Sequence, residues 1–197
     1  MLIVLPSRND PRSMSAGQKA FAGILLVATI ATTFEAGGIL LNFDFFSNVG
    51  RFQESLPIAV GFFTVLIAHE LGHWILARRH QVRLSLPYLL PSVQIGCFGA
   101  ITRFESLLPN RKVLLAGPAA GVIISLFIFV VGLLLSHEGS LFQLPNQFFQ
   151  GSILVGSLSR VILGDTLQLS VVDVNPLVII GWLGLVVTAL NLMPAGQ

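Results

Sequence analysis

The sequence predicts an all-α membrane protein, with about four transmembrane helices and a short β-hairpin or re-entrant element at the membrane face. Of its 197 residues, 54% are hydrophobic and 10% are charged, whereas a soluble domain carries about 25% charged residues. Four apolar stretches are each close to or above the roughly 20 residues that a helix needs to cross lipid. The long connection between the second and third stretches is broken by prolines, which favours the non-helical element.

The apolar stretches lie at residues 20–41, 57–77, 113–136 and 176–193. Before them, residues 1–19 form a polar tail that lacks the apolar core and cleavage site of a signal peptide. We expect residues 20–197 to form one membrane-embedded unit. We also expect the first helix to end near Phe34, so that Glu35 lies at the outer interface. The alternatives are that Glu35 bonds a neighbouring helix or lies near a functional site.

Basic residues predict how the helices are oriented. The opposite side carries only Arg51 and Arg160, whereas the tail and the second connection together carry nine basic residues: Arg8, Arg12, Lys19, Arg78, Arg79, Arg83, Arg103, Arg111 and Lys112. Because basic residues are retained on the cytoplasmic side, we expect the N-terminus in the cytoplasm or its equivalent. These residues form no continuous basic run, so the sequence does not predict nucleic-acid binding. The partner that the apolar stretches predict is the lipid bilayer.

The two long connections differ in pattern. Residues 81–110 contain alternating stretches, "VRLSL" and "GAITRF", with prolines and glycines between them. This pattern favours strands joined by a turn. In the other connection, "FFQGSILVGSLSRVILG" at 148–164 predicts an interfacial helix.

The second apolar stretch contains "HELGH" at residues 69–73. His69 and His73 are four residues apart and therefore share one helix face. Such a pair binds a single zinc ion, and Glu70 beside it is suited to act as general base toward a water molecule. Ionisable residues inside a membrane helix are costly, which favours function. The alternative is a histidine pair that only bonds neighbouring helices.

Catalytic zinc takes three protein ligands, and the spacing leaves the third one open. His80 lies past the helix end, and His137, Asp165 and Asp173 lie on the opposite side of the predicted topology. The remaining candidates on the correct side are Cys97 and Glu105. Cys97 is the single cysteine, so no intrachain disulfide is expected.

With these residues, the chain resembles the site-2 protease family of intramembrane zinc metallopeptidases. "HELGH" matches the family's first motif, and "NLMP" at 191–194 looks like the start of its second motif. "AGPAAG" at 116–121 resembles the helix of small residues between them. "FGAITRFESLLPNRK" at 98–112 is similar to the plastid and cyanobacterial branch, which implies a plasma or thylakoid-type membrane.

The resemblance implies roles for individual residues. His69 and His73 would bind Zn²⁺, Glu70 would be catalytic, and Asn191 would be a polar group near the site. The family's third ligand is an aspartate that would fall about two positions past Gln197, so the core is expected to be incomplete within this chain. Gly121 departs from relatives that carry asparagine there.

The implied function is a zinc metalloendopeptidase that hydrolyses peptide bonds of transmembrane substrates, in regulated intramembrane proteolysis. The strand-like region could pair with an extended substrate by strand addition, or it only covers the cytoplasmic face. The sequence names no substrate-binding residues. The alternative function is a non-catalytic relative that binds membrane proteins, or an inactive fragment. A transporter is disfavoured because the intramembrane polar residues concentrate in one helix.

Overall fold

The structure, a computed structural model, describes residues 14–102 and 111–192, with the backbone alone at 111–116. The tail up to residue 13, Glu105 and the second-motif residues Met193 and Pro194 lie outside the described residues. The helices and strands are α1 (Ala16–Leu40), α2 (Phe52–Arg79), β1 (Tyr88–Ser92), β2 (Gly96–Ile101), α3 (Arg111–Leu134), β3 (Phe142–Pro145), α4 (Gln147–Gln150), α5 (Ile153–Leu163), β4 (Val171–Val174) and α6 (Pro176–Leu192).

Three described helices are long and apolar enough to cross a membrane: α1, α2 with the turn before it, and the described part of α3. The fourth apolar helix, α6, is described over 17 residues, which at 1.5 Å per residue is about 26 Å long. The predicted fold class, a helical membrane protein with a small strand hairpin, is therefore confirmed.

Helix α1 begins four residues earlier than predicted because Ser15 caps it. The Ser15 hydroxyl accepts a hydrogen bond from the Gln18 amide at 3.3 Å, and the Gln18 side chain accepts from the Ser15 amide at 2.9 Å. This reciprocal pair is a capping box, which satisfies amides that a helix start leaves without partners. The last four residues of the predicted polar tail, 16–19, are thus helical.

The expectation that α1 ends near Phe34 was wrong. The helix continues to Leu40, and Glu35 is buried inside it. One oxygen of the Glu35 carboxylate accepts hydrogen bonds from the amides of Phe45 and Phe46, at 2.9 and 3.2 Å. The loop between α1 and α2 supplies these donors, so a carboxylate can stay inside an apolar helix.

Helices α2, α3 and α6 pack together as the core of the molecule. Glycines set the closest approach between α3 and α6. A Cβ atom at Gly181 would lie 2.5 Å from the Phe129 amide nitrogen, and one at Gly132 would lie 2.5 Å from that of Val178. Small residues allow this main-chain contact, which is how membrane helices gain packing energy where lipid offers no hydrophobic driving force.

The hairpin of β1 and β2 packs mainly against α1. The strands are antiparallel, with a β-bulge between Leu90 and Pro91 that suits a proline without an amide donor. The Thr32 hydroxyl of α1 donates to the Gly96 carbonyl at 2.7 Å. The predicted hairpin therefore exists, but the "VRLSL" stretch at 82–86 lies before it and is not a strand.

The interfacial helix predicted at 148–164 is divided into α4 and α5. The sequence did not predict the short strands on either side of them. Strand β3 pairs antiparallel with β4, in a register that places Phe142 opposite Val174. Val174 is buried in a cluster with Phe129 of α3 and Val178 of α6, so this second two-stranded sheet covers one end of the helical core.

Candidate metal centre

The predicted ligand pair lies on one turn of α2. His69 and His73 are 3% and 8% exposed, and their ring centroids are 5.1 Å apart with the planes inclined at 72°. The helical repeat alone brings them together, since residues four apart stack on one face. Both imidazoles face the protein interior and not lipid.

Helix α3 lies against this pair through two glycines. A Cβ atom at Gly117 would overlap the imidazole of His73. At Gly121 it would lie 3.1 Å from Nδ1 of His69 and 2.7 Å from the hydroxyl oxygen of Thr188 on α6. The small-residue helix seen in the sequence therefore has a definite role in this fold, because its two glycines make room for the two imidazoles.

Glu70 follows His69 directly, and because neighbouring residues of an α-helix are about 100° apart, it lies beside the histidine face of α2. One carboxylate oxygen, Oε2, accepts a hydrogen bond from the hydroxyl of Thr102 at 2.8 Å. The other, Oε1, is buried and has no hydrogen-bond partner among the described residues. An acceptor buried in this way costs free energy unless a ligand or solvent molecule binds it, so Oε1 is the atom of Glu70 left for chemistry.

The carboxylate of Glu70 opens on a groove of about 800 Å³ between α1, α2 and the segment that leads into the hairpin. Apolar side chains dominate its lining, and its polar members are Lys19, Glu70, Ser85 and Thr102. A cavity of this size accommodates a peptide segment or a large organic ligand. The candidate base is therefore reachable from a largely apolar groove.

Asn191 reaches the site indirectly, through the hairpin. Its side-chain oxygen accepts a hydrogen bond from the Ala100 amide at 3.3 Å, and a Cβ atom at Gly99 would overlap it. Ala100 is two residues from Thr102, which bonds Glu70. Asn191 is thus connected to the candidate base through strand β2.

The third ligand stays open within the described residues, where no group of three or more His, Cys, Asp or Glu side chains is placed to hold a metal ion. Cys97 is buried and bonds locally to Gly99, and burial raises the pKa of its thiol. Its contacts are therefore within its own strand, and it is not grouped with His69 and His73.

The other candidates lie on separate elements. His80 is exposed after the end of α2. Asp173 accepts from the Gly139 amide at 2.8 Å and Asp165 from the Gln168 side chain at 3.1 Å, while Nδ1 of His137 contacts the Glu138 carbonyl. Glu105 lies outside the described residues. None of these described candidates is grouped with the pair on α2.

The donor set on α2 fits a zinc ion. Two imidazoles and a neighbouring carboxylate are nitrogen and oxygen donors of the kinds that zinc prefers. Nδ1 of His69 is buried and has no hydrogen-bond partner among the described residues. Two buried imidazoles beside a buried carboxylate oxygen are expensive as a purely structural cluster, and binding a cation would offset that cost.

Sequence analysis identified the histidines and Glu70 but not Thr102 or Thr188. Thr102 lies within the quoted "GAITRF", and its separation from Glu70 by 32 residues gives no periodic signal. The only hint in the sequence was that Thr102 is a polar residue at the end of a strand-like alternation. That stretch was predicted on the same side of the membrane as the end of α2. Thr188, in an apolar helix, carried no signal that distinguishes it from a packing residue.

The sequence is similar to proteins that are named as zinc metalloproteases. Residues 57–197 match the sequence profile described as peptidase family M50. The chain is 46% identical over 153 residues to "Probable zinc metalloprotease EGY1, chloroplastic" of Arabidopsis thaliana, covering 73% of this chain and 28% of that protein. It is 34% identical over 205 residues to "Probable zinc metalloprotease EGY2, chloroplastic" of the same plant, covering 99% and 37%.

A third relative is "Probable zinc metalloprotease EGY3, chloroplastic" of Oryza sativa subsp. indica, which is 35% identical over 195 residues and covers 87% of this chain and 33% of that protein. The chain thus spans between a quarter and two fifths of the length of these relatives. No solved structure matches it significantly.

Proposed function

This chain belongs to peptidase family M50, and we propose that it forms the core of a zinc metalloendopeptidase that hydrolyses peptide bonds of transmembrane substrates. The observation that carries the proposal is the single turn of α2 that presents His69 and His73 to α3 and Glu70 to an apolar groove. Two metal-binding side chains and a base next to a substrate-sized groove are the parts that peptide hydrolysis needs.

His69 and His73 would hold the zinc ion. When bound, zinc supplies a Lewis acid that polarises a carbonyl and lowers the pKa of water. If the resemblance to the site-2 protease family holds for the ligands, the third one would be an aspartate of the second motif, outside the described residues. The contribution of α3 is steric, because Gly117 and Gly121 leave the imidazoles the space they occupy.

Glu70 would act as the general base and then as the general acid. Its Oε1 takes the proton of the attacking water and returns it to the nitrogen of the leaving amine, while Oε2 stays bonded to Thr102. A positioned carboxylate of this kind contributes about 10²–10⁴-fold to rate.

The substrate would enter through the groove on the α1 side of α2, whose apolar lining suits a membrane-embedded peptide. Hydrolysis needs an extended segment, and the hairpin offers a template for strand addition. In the present structure the Ala100 amide is bonded to Asn191. A substrate carbonyl pairing at this point would therefore replace the Asn191 side chain.

The proposal includes a multi-pass arrangement with the N-terminus in the cytoplasm or the stroma. The charge distribution of the sequence supports it, with nine of eleven basic residues on one predicted side. Relatives named chloroplastic support a thylakoid-type membrane.

A second candidate function is a relative that binds membrane proteins without cutting them. The observation in its favour is that the described residues contain only two of the three metal ligands that catalysis requires. Such a protein would use the same groove and hairpin, and Glu70 would then have no proton to transfer.

The test compares the intact protein with its Glu70→Gln and His69→Ala variants, by zinc analysis and by cleavage of a labelled membrane substrate. We expect Glu70→Gln to keep its zinc and to lose cleavage by about 10²-fold or more. His69→Ala should lose both zinc and cleavage. Unchanged cleavage by Glu70→Gln would remove the proposed mechanism, and zinc without any cleavage by the unmodified protein would favour the binding function.

A further inference from the structure

We propose that Thr102 is a positioning residue that fixes the carboxylate of Glu70 and thereby couples the hairpin to the catalytic base. The inference rests on the proposed function, since it assigns Thr102 a part in the same reaction. It goes further by naming which element outside α2 controls the base. Thr102 contacts neither the metal ligands nor the bond to be cut in this assignment.

The hydrogen bond itself carries the first step. The Thr102 hydroxyl donates to Oε2 of Glu70 at 2.8 Å, and Thr102 is 7% exposed. Hydrogen bonds to a carboxylate are about twice as strong as neutral ones. The hydrogen bond holds Oε2, while Oε1 has no partner among the described residues. The carboxylate of Glu70 therefore has a defined orientation, and proton transfer in a fixed direction requires one.

The position of Thr102 is in turn set by the hairpin. Thr102 directly follows β2, and that strand is fastened at two other points. The Thr32 hydroxyl of α1 bonds the Gly96 carbonyl at 2.7 Å, and Asn191 of α6 bonds the Ala100 amide. Any displacement of β2, including one caused by a peptide pairing with it, therefore moves the donor that holds Glu70.

The side chain at position 102 permits a clean test. Valine has the shape of threonine without the hydroxyl, and serine keeps the hydroxyl without the methyl group. In the intact protein we expect Thr102→Val to lower kcat about 10–100-fold, as removal of partners that orient an active-site group does, with KM changed less than about twofold. Thr102→Ser should recover most of the lost kcat.

Thr64→Val is the matched control. Thr64 lies on the same helix as Glu70, is exposed, and its hydroxyl bonds the Val60 carbonyl within the helix at 2.8 Å. This substitution removes a threonine hydroxyl that has no contact with Glu70. We expect kcat and KM within about twofold of the unmodified protein.

A double-mutant cycle measures the contact without using activity. Thermal unfolding midpoints are compared for Thr102→Val, Glu70→Ala and the double variant in detergent. If the hydroxyl acts through Glu70, the two single effects will not add in the double variant. If Thr102 only fills space in the hairpin, the effects will add.

The inference is overturned if Thr102→Val keeps its kcat, if serine is no better than valine, or if the whole loss lies in KM, which would make Thr102 a substrate contact. If the valine variant does not fold, the comparison of Thr102→Ser with Thr102→Ala repeats the test without the branched methyl. A loss of activity in Glu70→Gln together with an unaffected Thr102→Val overturns this inference alone. An active Glu70→Gln removes the proposed function instead.

Discussion

At the scale of single residues, two glycines of α3 determine how closely this helix approaches the candidate metal ligands, because their side chain is only a hydrogen atom. Gly117 faces the imidazole of His73 and Gly121 faces that of His69. The ring positions are thus determined from two sides, by the turn of α2 that carries them and by the α3 surface that leaves them room. Positioning by packing is what keeps a ligand pair close to its binding geometry.

We expect Gly117→Ala to reduce zinc affinity at least tenfold and to destabilise the protein by about 1–3 kcal/mol, because the added methyl group would displace the His73 ring. Zinc analysis and thermal unfolding measure the two effects. The matched control is Gly23→Ala on α1, where a Cβ atom meets no other atom within 4 Å. It should be neutral or stabilise by up to about 1 kcal/mol. Equal zinc content in both variants would contradict the role of Gly117.

The site shows which residue contacts a sequence can predict. His69 and His73 follow from the helical repeat, since both lie on one continuous element. The contact of Thr102 with Glu70 depends on the place where the hairpin packs, and no local pattern encodes a pairing across 32 residues. Neither the sequence nor the described residues identify the third metal ligand. The pattern on α2 supplies two imidazoles, and these complete only part of a coordination shell.

At the scale of elements, Glu35 connects α1 to the loop that leads into α2. Its carboxylate accepts two main-chain hydrogen bonds, from Phe45 and Phe46. We expect Glu35→Ala to lower the free energy of unfolding by about 2–3 kcal/mol, because it leaves two amides without their acceptor. Cleavage activity at permissive temperature should be retained.

Glu54→Ala is the control for that experiment. Glu54 forms an ion pair with Arg51 at 2.6 Å, in which both side chains are about half exposed, and solvent screening leaves such pairs with little effect on stability. Thermal unfolding should therefore shift much less than for Glu35→Ala. Loss of cleavage in Glu35→Ala without any change in stability would instead assign Glu35 to the functional site.

The hairpin depends on Gly99 for its contact with α6. Gly99 has a φ of +139°, and a Cβ atom there would overlap the Asn191 side chain. We expect Gly99→Ala to destabilise the protein by about 2–4 kcal/mol, from backbone strain plus steric overlap. Gly139→Ala is the matched control, because Gly139 has a φ of +82° but open space around it. It should show the strain alone, about 1 kcal/mol in thermal unfolding, and equal losses would contradict the contact.

The elements that could be predicted are those with a strong local sequence pattern. Long apolar runs identified the four main helices. The start of α1 moved because Ser15 caps it, and α1 continues past Phe34 with Glu35 buried, because the carboxylate accepts main-chain hydrogen bonds. The first hairpin was predicted from its prolines and glycines, but its first strand was misplaced, since alternation does not specify which residues find a partner. The four-residue strands β3 and β4 were missed because their pairing across the α4–α5 segment has no local signature.

At the scale of the whole molecule, the predicted orientation in the membrane can be tested with the chain's single cysteine as the background. Cys97 is fully buried, and burial raises the pKa of its thiol. The thiolate is the reactive form, so at neutral pH Cys97 should react slowly with a membrane-impermeant maleimide. Its reaction should increase only at a pH above that needed by an exposed cysteine, which titrates near about 8.5.

New cysteines then report the two sides of the membrane. Arg79 at the end of α2 and Asp165 after α5 are both exposed, and they lie on opposite sides of the predicted topology. In sealed vesicles of known orientation, we expect Arg79→Cys to be labelled from the cytoplasmic or stromal side and Asp165→Cys from the other, with Cys97→Ala as the background control. The groove is lined by residues in the half of α2 that ends at Arg79, so this labelling also reports on which side of the membrane that half of the helix ends. Labelling of both cysteines from one side would contradict the charge-based orientation.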